Sequence, residues 1–206
     1  IQRKPNWLVP AIVLVIISLG FVFVTKDVIL KDAQTQAMKQ IEKQNLNEEQ
    51  TEQALARAEK ITSIMIYVGP AVGSFVVFFI LAAIWLFISN TILGGNATYS
   101  QMLGVTVYKD FIGVFAMLVK LPIILAQQTM NIHFSLATFM PDSEQATFLY
   151  KMLSKVDIFN IWISAVLCIG IGVMSKAGAK KTWPWVVLTF VIWYVATAGL
   201  GSMFGR

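Results

Sequence analysis

The last third of the chain limits its fold more than any other feature, because two apolar stretches flank one short basic turn. The stretches are residues 158–174 and 183–204, and the turn is 175–182. Each stretch is long enough to cross a bilayer core of about 30 Å, at about 1.5 Å of rise per residue. The turn contains three lysines and no acidic residue, which is typical of a cytoplasmic loop. This arrangement predicts two antiparallel membrane helices joined on the cytoplasmic side.

The composition of the whole chain supports a membrane protein. Of its 206 residues, 57% are apolar and 13% are charged, and the mean hydropathy is +0.70. A soluble domain of this size could not bury so much apolar surface. The net charge of +5 comes from end and turn segments that are predicted to be cytoplasmic, so it favours membrane orientation over nucleic-acid binding.

Length, hydropathy and charge together predict one all-α, polytopic membrane domain over residues 1–206, with five transmembrane helices. Arg3 and Lys4 place the N-terminus inside, which leaves the C-terminus outside. The predicted spans are 7–24, 62–89, 105–128, 157–174 and 183–204. Two segments fall on the outer side: a helical extracytoplasmic insertion at 25–61, between spans 1 and 2, and an interfacial segment at 129–156.

The outer insertion has a mixed surface and a thin apolar stripe. It carries six basic and seven acidic residues, and its alanines and isoleucines recur at helical spacing. Asn47 followed by Gln50 predicts a capping box at the start of a second helix. Two interpretations stay open: a solvated spacer, or a site that binds a partner.

The sequence of the second span predicts close helix contacts and a kink. Gly69 and Gly73 form a small-residue face that allows another helix to approach closely, and Pro70 frees a carbonyl and kinks the helix. Trp85, near the inner end of this span, fits an interfacial anchor. Residues 90–104 then predict an uncharged turn in which Gly94 and Gly95 end the helix.

The third span holds the ionisable residues of greatest interest. Asp110 lies near the predicted inner end, and Lys120 lies about ten residues deeper, shortly before the helix breaker Pro122. A lysine inside a bilayer costs at least about 2.5 kcal/mol, so it faces protein or a cavity, or else its stem reaches the interface. We expect Lys120 to face the bundle interior in a small polar pocket below Pro70, with Asp157 as its partner.

Catalytic and metal-binding residues are sparse. The sequence has one histidine, His133, and one cysteine, Cys168, which lies within an apolar span. No nucleophile–base set and no Cys/His zinc pattern follows from these residues. We therefore expect no enzyme activity, no cofactor and no metal.

Several local patterns resemble the bacterial type of Yip1-domain membrane protein. The run Asp157-Ile-Phe-Asn-Ile-Trp162 precedes Gly170-Ile-Gly172, a lysine-rich turn and a final apolar helix. Pro5-Asn-Trp7 opens the first span, and Gly94-Gly95-Asn-Ala-Thr-Tyr-Ser100 stands where the family has a glycine-rich turn. The resemblance covers nearly the whole chain and implies five spans in a bacterial inner or plasma membrane.

The resemblance also implies a class of function. Yip1-domain proteins organise membranes, take part in trafficking or recruit partners, so the expected partners are the lipid bilayer and a second copy or another membrane protein. Binding of small GTPases by eukaryotic relatives depends on a long cytosolic N-terminal region that this chain does not show, so none is expected here. The alternative is a transporter, channel or lipid-translocating protein that uses the polar residues around Lys120.

Overall fold

The computed structural model describes residues 6–41, 47–132, 134–140, 147–154 and 156–203. Within these ranges the chain is helical, and the only strand-like pairing is an isolated bridge between Ser135 and Asp157. The α-helices are α1 (Leu8–Ile41), α2 (Glu48–Val68), α3 (Ser74–Phe87), α4 (Tyr99–Gln127), α5 (Phe148–Leu153), α6 (Ile158–Met174) and α7 (Ala179–Met203). The predicted all-α fold is confirmed.

In the described part of the chain, three helices are long and apolar enough to cross a membrane: Leu8–Met38, the continuous helical segment Glu48–Ile92, and Tyr99–Gln127. Helix α6 is also apolar but has 17 residues. Large apolar side chains lie exposed on the bundle, including Phe23, Ile16 and Val173, as expected of a surface that faces lipid. The orientation and the count of five spans stay predictions.

The bundle is built from helices that pack side by side. Helix α1 packs against α2 and α4, α3 packs against α4, and α6 packs against both α4 and α7. The core contains Trp85, Met102, Val107, Leu167 and Ile171, each at most 1% exposed. Trp85 is therefore a core residue, and its predicted role as an interfacial anchor is wrong. Its ring lies 6.4 Å from that of Phe190 in α7, which explains its burial.

The predicted outer insertion is helical, but its two helices are not separate from the spans. Helix α1 continues without interruption to Ile41, and α2 runs directly into the second span. Asn47 caps α2, and the side chains of Asn47 and Gln50 bond each other's backbone N–H in the predicted capping box. The hairpin is thus an extension of two membrane helices.

The predicted turn at 90–104 is much shorter than expected. A π-helical turn continues α3 through Ile92, and α4 begins at Tyr99 behind a capping box formed by Thr98 and Gln101. Gly94 takes a φ of +69°, which fits its predicted role at a helix end. Thr98 followed by Gln101 is a capping-box pattern like Asn47 with Gln50, so the start of α4 was visible in the sequence but was assigned to the turn.

Two turns meet at the same end of the bundle, which we call the inner end after its predicted orientation. A Cβ atom added to Gly95 would lie 2.7 Å from the Cα of Ser175, so the turns at 93–98 and 175–178 touch. In the second turn, a Cβ at Gly172 would lie 2.7 Å from the backbone of Gly178 and Ala179. Gly172 therefore lies in close contact with the start of α7.

The outer segment after α4 contains a 3₁₀ turn at Leu136–Phe139 and the short helix α5. Phe139 is 87% exposed and Leu149 is also exposed, in keeping with the predicted interfacial location. His133 and the helix cap predicted at Asp142 and Gln145 lie outside the described residues.

Candidate intramembrane polar sites

Asp110 lies near the middle of α4 and not near its inner end. Because α4 begins at Tyr99, Asp110 is eleven residues into a helix of 29, about 16 Å along its axis. The sequence prediction started this span at residue 105, whereas α4 begins at Tyr99. The earlier start places Asp110 at about the middle of the membrane helix. Its carboxylate pairs with the ammonium of the preceding residue, Lys109, whose side chain is 9% exposed. An ion pair at this depth is costly to desolvate.

Asp110 lines a groove of about 490 Å³ between α1, the second span and α4. Ser18 of α1 and Ser74 of α3 supply hydroxyl groups to the same groove. The remaining lining is Leu14, Gly69, Gly73, Val77, Phe78, Gly113, Val114 and Met117. Among the described lining residues, Asp110 is the only charged one.

Three glycines keep this groove open. A Cβ atom added to Gly69, Gly73 or Gly113 would meet nothing within 4 Å beyond its immediate chain neighbours and its own helix backbone. Helix α1 lies beside the Gly69–Gly73 turn, with open space next to the glycines, so the close helix approach expected there stays a prediction. By contrast, a Cβ at Gly170 would lie 2.8 Å from Val105, so α6 and α4 approach each other closely there.

Where the sequence predicted a kink at Pro70, the helix has a π-helical turn, Gly69–Gly73, on the wall of the groove. The N–H of Ser74 donates to the carbonyl of Gly69, five residues earlier. A proline offers no N–H to the carbonyl four residues before it, and the wider turn accommodates that loss without ending the helix. Pro122 also lies inside a continuous helix, α4.

Lys120 and Asp157 meet at a second polar site, and neither residue lines the groove. The Lys120 Nζ atom lies 3.5 Å from Asp157 Oδ2, and it lies 5.9 Å and 5.8 Å from the ring centres of Phe134 and Phe159. The structure thus brings together the two residues that the sequence paired. Lys120 does not line the groove beside Pro70, so its predicted location in a pocket there is wrong.

Asp157 has two roles at this second site. It is the N-cap of α6, where its Oδ1 atom accepts a 2.7 Å hydrogen bond from the N–H of Asn160. Because α6 has 17 residues, Asp157 lies about 25 Å from the inner turn along the helix axis. In a bilayer core of about 30 Å, the pair with Lys120 belongs near the outer boundary.

The sequence missed most of the groove. Lys109 was visible as one of two adjacent charges inside an apolar span, and that pattern is the one signal that would have found the pair. Ser18, Ser74 and Gly113 carry no such signal, because single serines and glycines are frequent in membrane helices. Among the described residues, no group of three or more His, Cys, Asp or Glu could hold a metal ion.

Comparison with protein families decides what kind of chain this is. The family model of the Yip1 domain matches residues 1–203. The chain belongs to the Yip1-domain family. Together with its long apolar helices, this match establishes an integral, multi-pass membrane protein. No curated protein and no solved structure matches this Yip1-domain protein at a significant level.

Proposed function

We propose that this Yip1-domain protein moves a small solute or ion through the membrane by way of the Asp110 groove. The observation that carries the proposal is the Lys109–Asp110 ion pair beside an open groove at the middle of α4. Replacing a buried ion pair by apolar residues is often neutral or stabilising, so stability gives little reason to keep one here. Ionisable residues at this depth mark substrate and ion pathways.

The helix that faces Asp110 has the features of a moving part. Helix α3 lies between two π-helical turns, Gly69–Gly73 and Ile88–Ile92. Such turns are frequent at functional sites, and broken membrane helices line transport sites near the midplane. A small rotation of α3 about these turns would change the width of the groove without breaking the helix ends.

Purified protein in liposomes tests this proposal. Rapid solution exchange on a supported membrane would record charge movement for a panel of salts, amines and sugars, and dithionite quenching of a fluorescent lipid would record lipid translocation. We expect activity in the wild type and its loss in Gly113→Leu, which fills the groove. Gly20→Leu is the matched control, because Gly20 is exposed on α1 and does not line the groove. Absence of every activity in the wild type would overturn the proposal.

The outer hairpin favours a second candidate: a protein that organises membrane or recruits partners. Helices α1 and α2 pack against each other, and α2 has no buried residue, so its outward face is available. A second copy of this chain or another membrane protein is the expected partner. Cryo-electron microscopy of proteoliposomes would test membrane shaping; we expect a hairpin-shortened variant to lose it and Gly113→Leu to keep it. Wild-type vesicles of unaltered shape and size would contradict membrane shaping.

Both candidates share three further proposals. The protein catalyses no covalent reaction and needs no cofactor, it binds neither nucleic acid nor a small GTPase, and it works in a bacterial inner or plasma membrane. The family match supports the membrane location, and the burial of Cys168 in α6 supports the absence of cysteine-based catalysis among the described residues.

A further inference from the structure

We propose that the Asp110 groove binds a primary ammonium compound with an apolar body. This inference names the substrate class of the groove and rests on the translocation proposed above. It follows from three properties of the groove: its charge, its hydrogen-bonding groups and its apolar walls.

The charge of the groove selects a cation. Asp110 lines the groove, whereas its partner Lys109 is buried and does not. The Lys109 ammonium contacts the Oδ1 atom of Asp110, which leaves Oδ2 as an acceptor. Lys109 offsets much of the carboxylate charge, so the selection of a cation comes from the remaining Oδ2 acceptor, to which a carboxylate anion has no N–H or O–H to donate.

The hydrogen-bonding groups fit an ammonium better than a metal ion. Ca²⁺ takes six to eight oxygen ligands, and Mg²⁺ takes six. The described side chains of the groove offer one carboxylate and two hydroxyls, those of Ser18 and Ser74. Neither hydroxyl makes a hydrogen bond within the described chain. A primary ammonium has three N–H donors, and these three groups can each accept one.

The walls of the groove select an apolar body on the ligand. Leu14, Val77, Phe78, Val114 and Met117 line the space around the three polar groups. Its volume of about 490 Å³ lies within the range of small-molecule sites, about 300–1,000 Å³. An alkyl or aryl ammonium would place its charge at Asp110 and its body against these side chains.

Three ligands of equal chain length test the inference: octylammonium, octanol and octanoate. The protein is held in nanodiscs of zwitterionic lipid, and its melting temperature is followed as each ligand is added. We expect octylammonium to raise the melting temperature at concentrations at least about tenfold lower than octanol, because stabilisation follows occupancy of the folded state. Octanoate should give no such rise. Equal responses to octylammonium and octanol, or a rise with octanoate, would overturn the inference.

Two variants locate the binding. Lys109→Met with Asp110→Asn removes both charges together, so no unpaired lysine remains, and it should abolish the preference for octylammonium. Gly113→Leu fills the groove without changing any charge, and it keeps the test available if the double variant does not fold. Asp157→Asn, at the other polar site, should retain the full response. A response that survived in Gly113→Leu would mean that octylammonium acts through the lipid and would also overturn the inference.

The melting and flux measurements together distinguish this inference from the proposed translocation. Ammonium binding at the groove without any flux in liposomes would uphold the binding site and overturn translocation. If flux were lost in Gly113→Leu but octylammonium and octanol raised the melting temperature equally, translocation would be upheld and the ammonium site would be overturned.

Discussion

The Asp32 carboxylate of α1 accepts a 2.6 Å hydrogen bond from the backbone N–H of Met130, just beyond the end of α4. The same carboxylate oxygen accepts a 3.1 Å bond from the hydroxyl of Thr129. These bonds join parts of the chain that are 97 and 98 residues apart. They fix the outer extension of α1 against the point where the chain leaves α4.

Asp32→Ala should therefore destabilise the protein. A hydrogen bond to a charged group contributes about 1.5–3 kcal/mol, so we expect a loss of that order and a lower melting temperature in detergent. Asp27→Ala is the control, because Asp27 is exposed on the same helix. If Asp32→Ala and Asp27→Ala both had the melting temperature of the wild type, the contact of Asp32 with Met130 and Thr129 would have no stabilising role.

The pair of Lys120 and Asp157 should show coupling in a double-mutant cycle. Asp157→Asn keeps the cap of α6, since asparagine is an equally good N-cap, and removes only the charge. We expect Lys120→Leu and Asp157→Asn each to lower the melting temperature, with an interaction of at least about 0.5 kcal/mol between them. Additive effects, or a more stable Lys120→Leu, would show that Lys120 only extends its stem to the interface.

Two glycines on different helices should respond in opposite ways to alanine. Gly172→Ala would force its Cβ to within 2.7 Å of backbone atoms of the inner turn, and overpacking of this kind costs about 1–3 kcal/mol or more. Gly113→Ala meets open space and should stabilise α4 by about 0.5–1 kcal/mol, because alanine has the higher helix propensity. Thermal melts of the two variants side by side measure the difference. Equal losses would mean that the groove beside Gly113 is closed.

The predicted orientation can be tested by labelling single cysteines in a Cys168→Ala background. Ser175 is 4% exposed and would label poorly, so Lys176→Cys is the better probe of the inner turn. Gln50→Cys probes the outer hairpin, and both positions are exposed. An impermeant reagent added outside intact cells should label position 50 and leave position 176 unmodified until the cells are opened. Labelling of both positions from outside would exclude the five-span topology.

What the sequence by itself determined is the class of the molecule and its local helix signals. Apolar length, lysine placement and the capping pair Asn47–Gln50 are properties of neighbouring residues, so they predicted a helical membrane protein with an outer hairpin. The partnership of Lys120 with Asp157 also followed, because a lysine in an apolar span needs an opposite charge and the nearest candidate opens the next helix.

What only the tertiary structure decided is which side chains share a space. Trp85 has the composition of an interfacial residue, yet helix packing buries it against α7. Gly69, Gly73 and Gly172 look alike in sequence, but two of them border open space and the third touches a backbone. The depth of Asp110 depended on where α4 begins, and its groove depended on residues from α1, α3 and α4 that lie far apart in the chain. Such relationships arise from the relative positions of helices, which no short stretch of residues specifies.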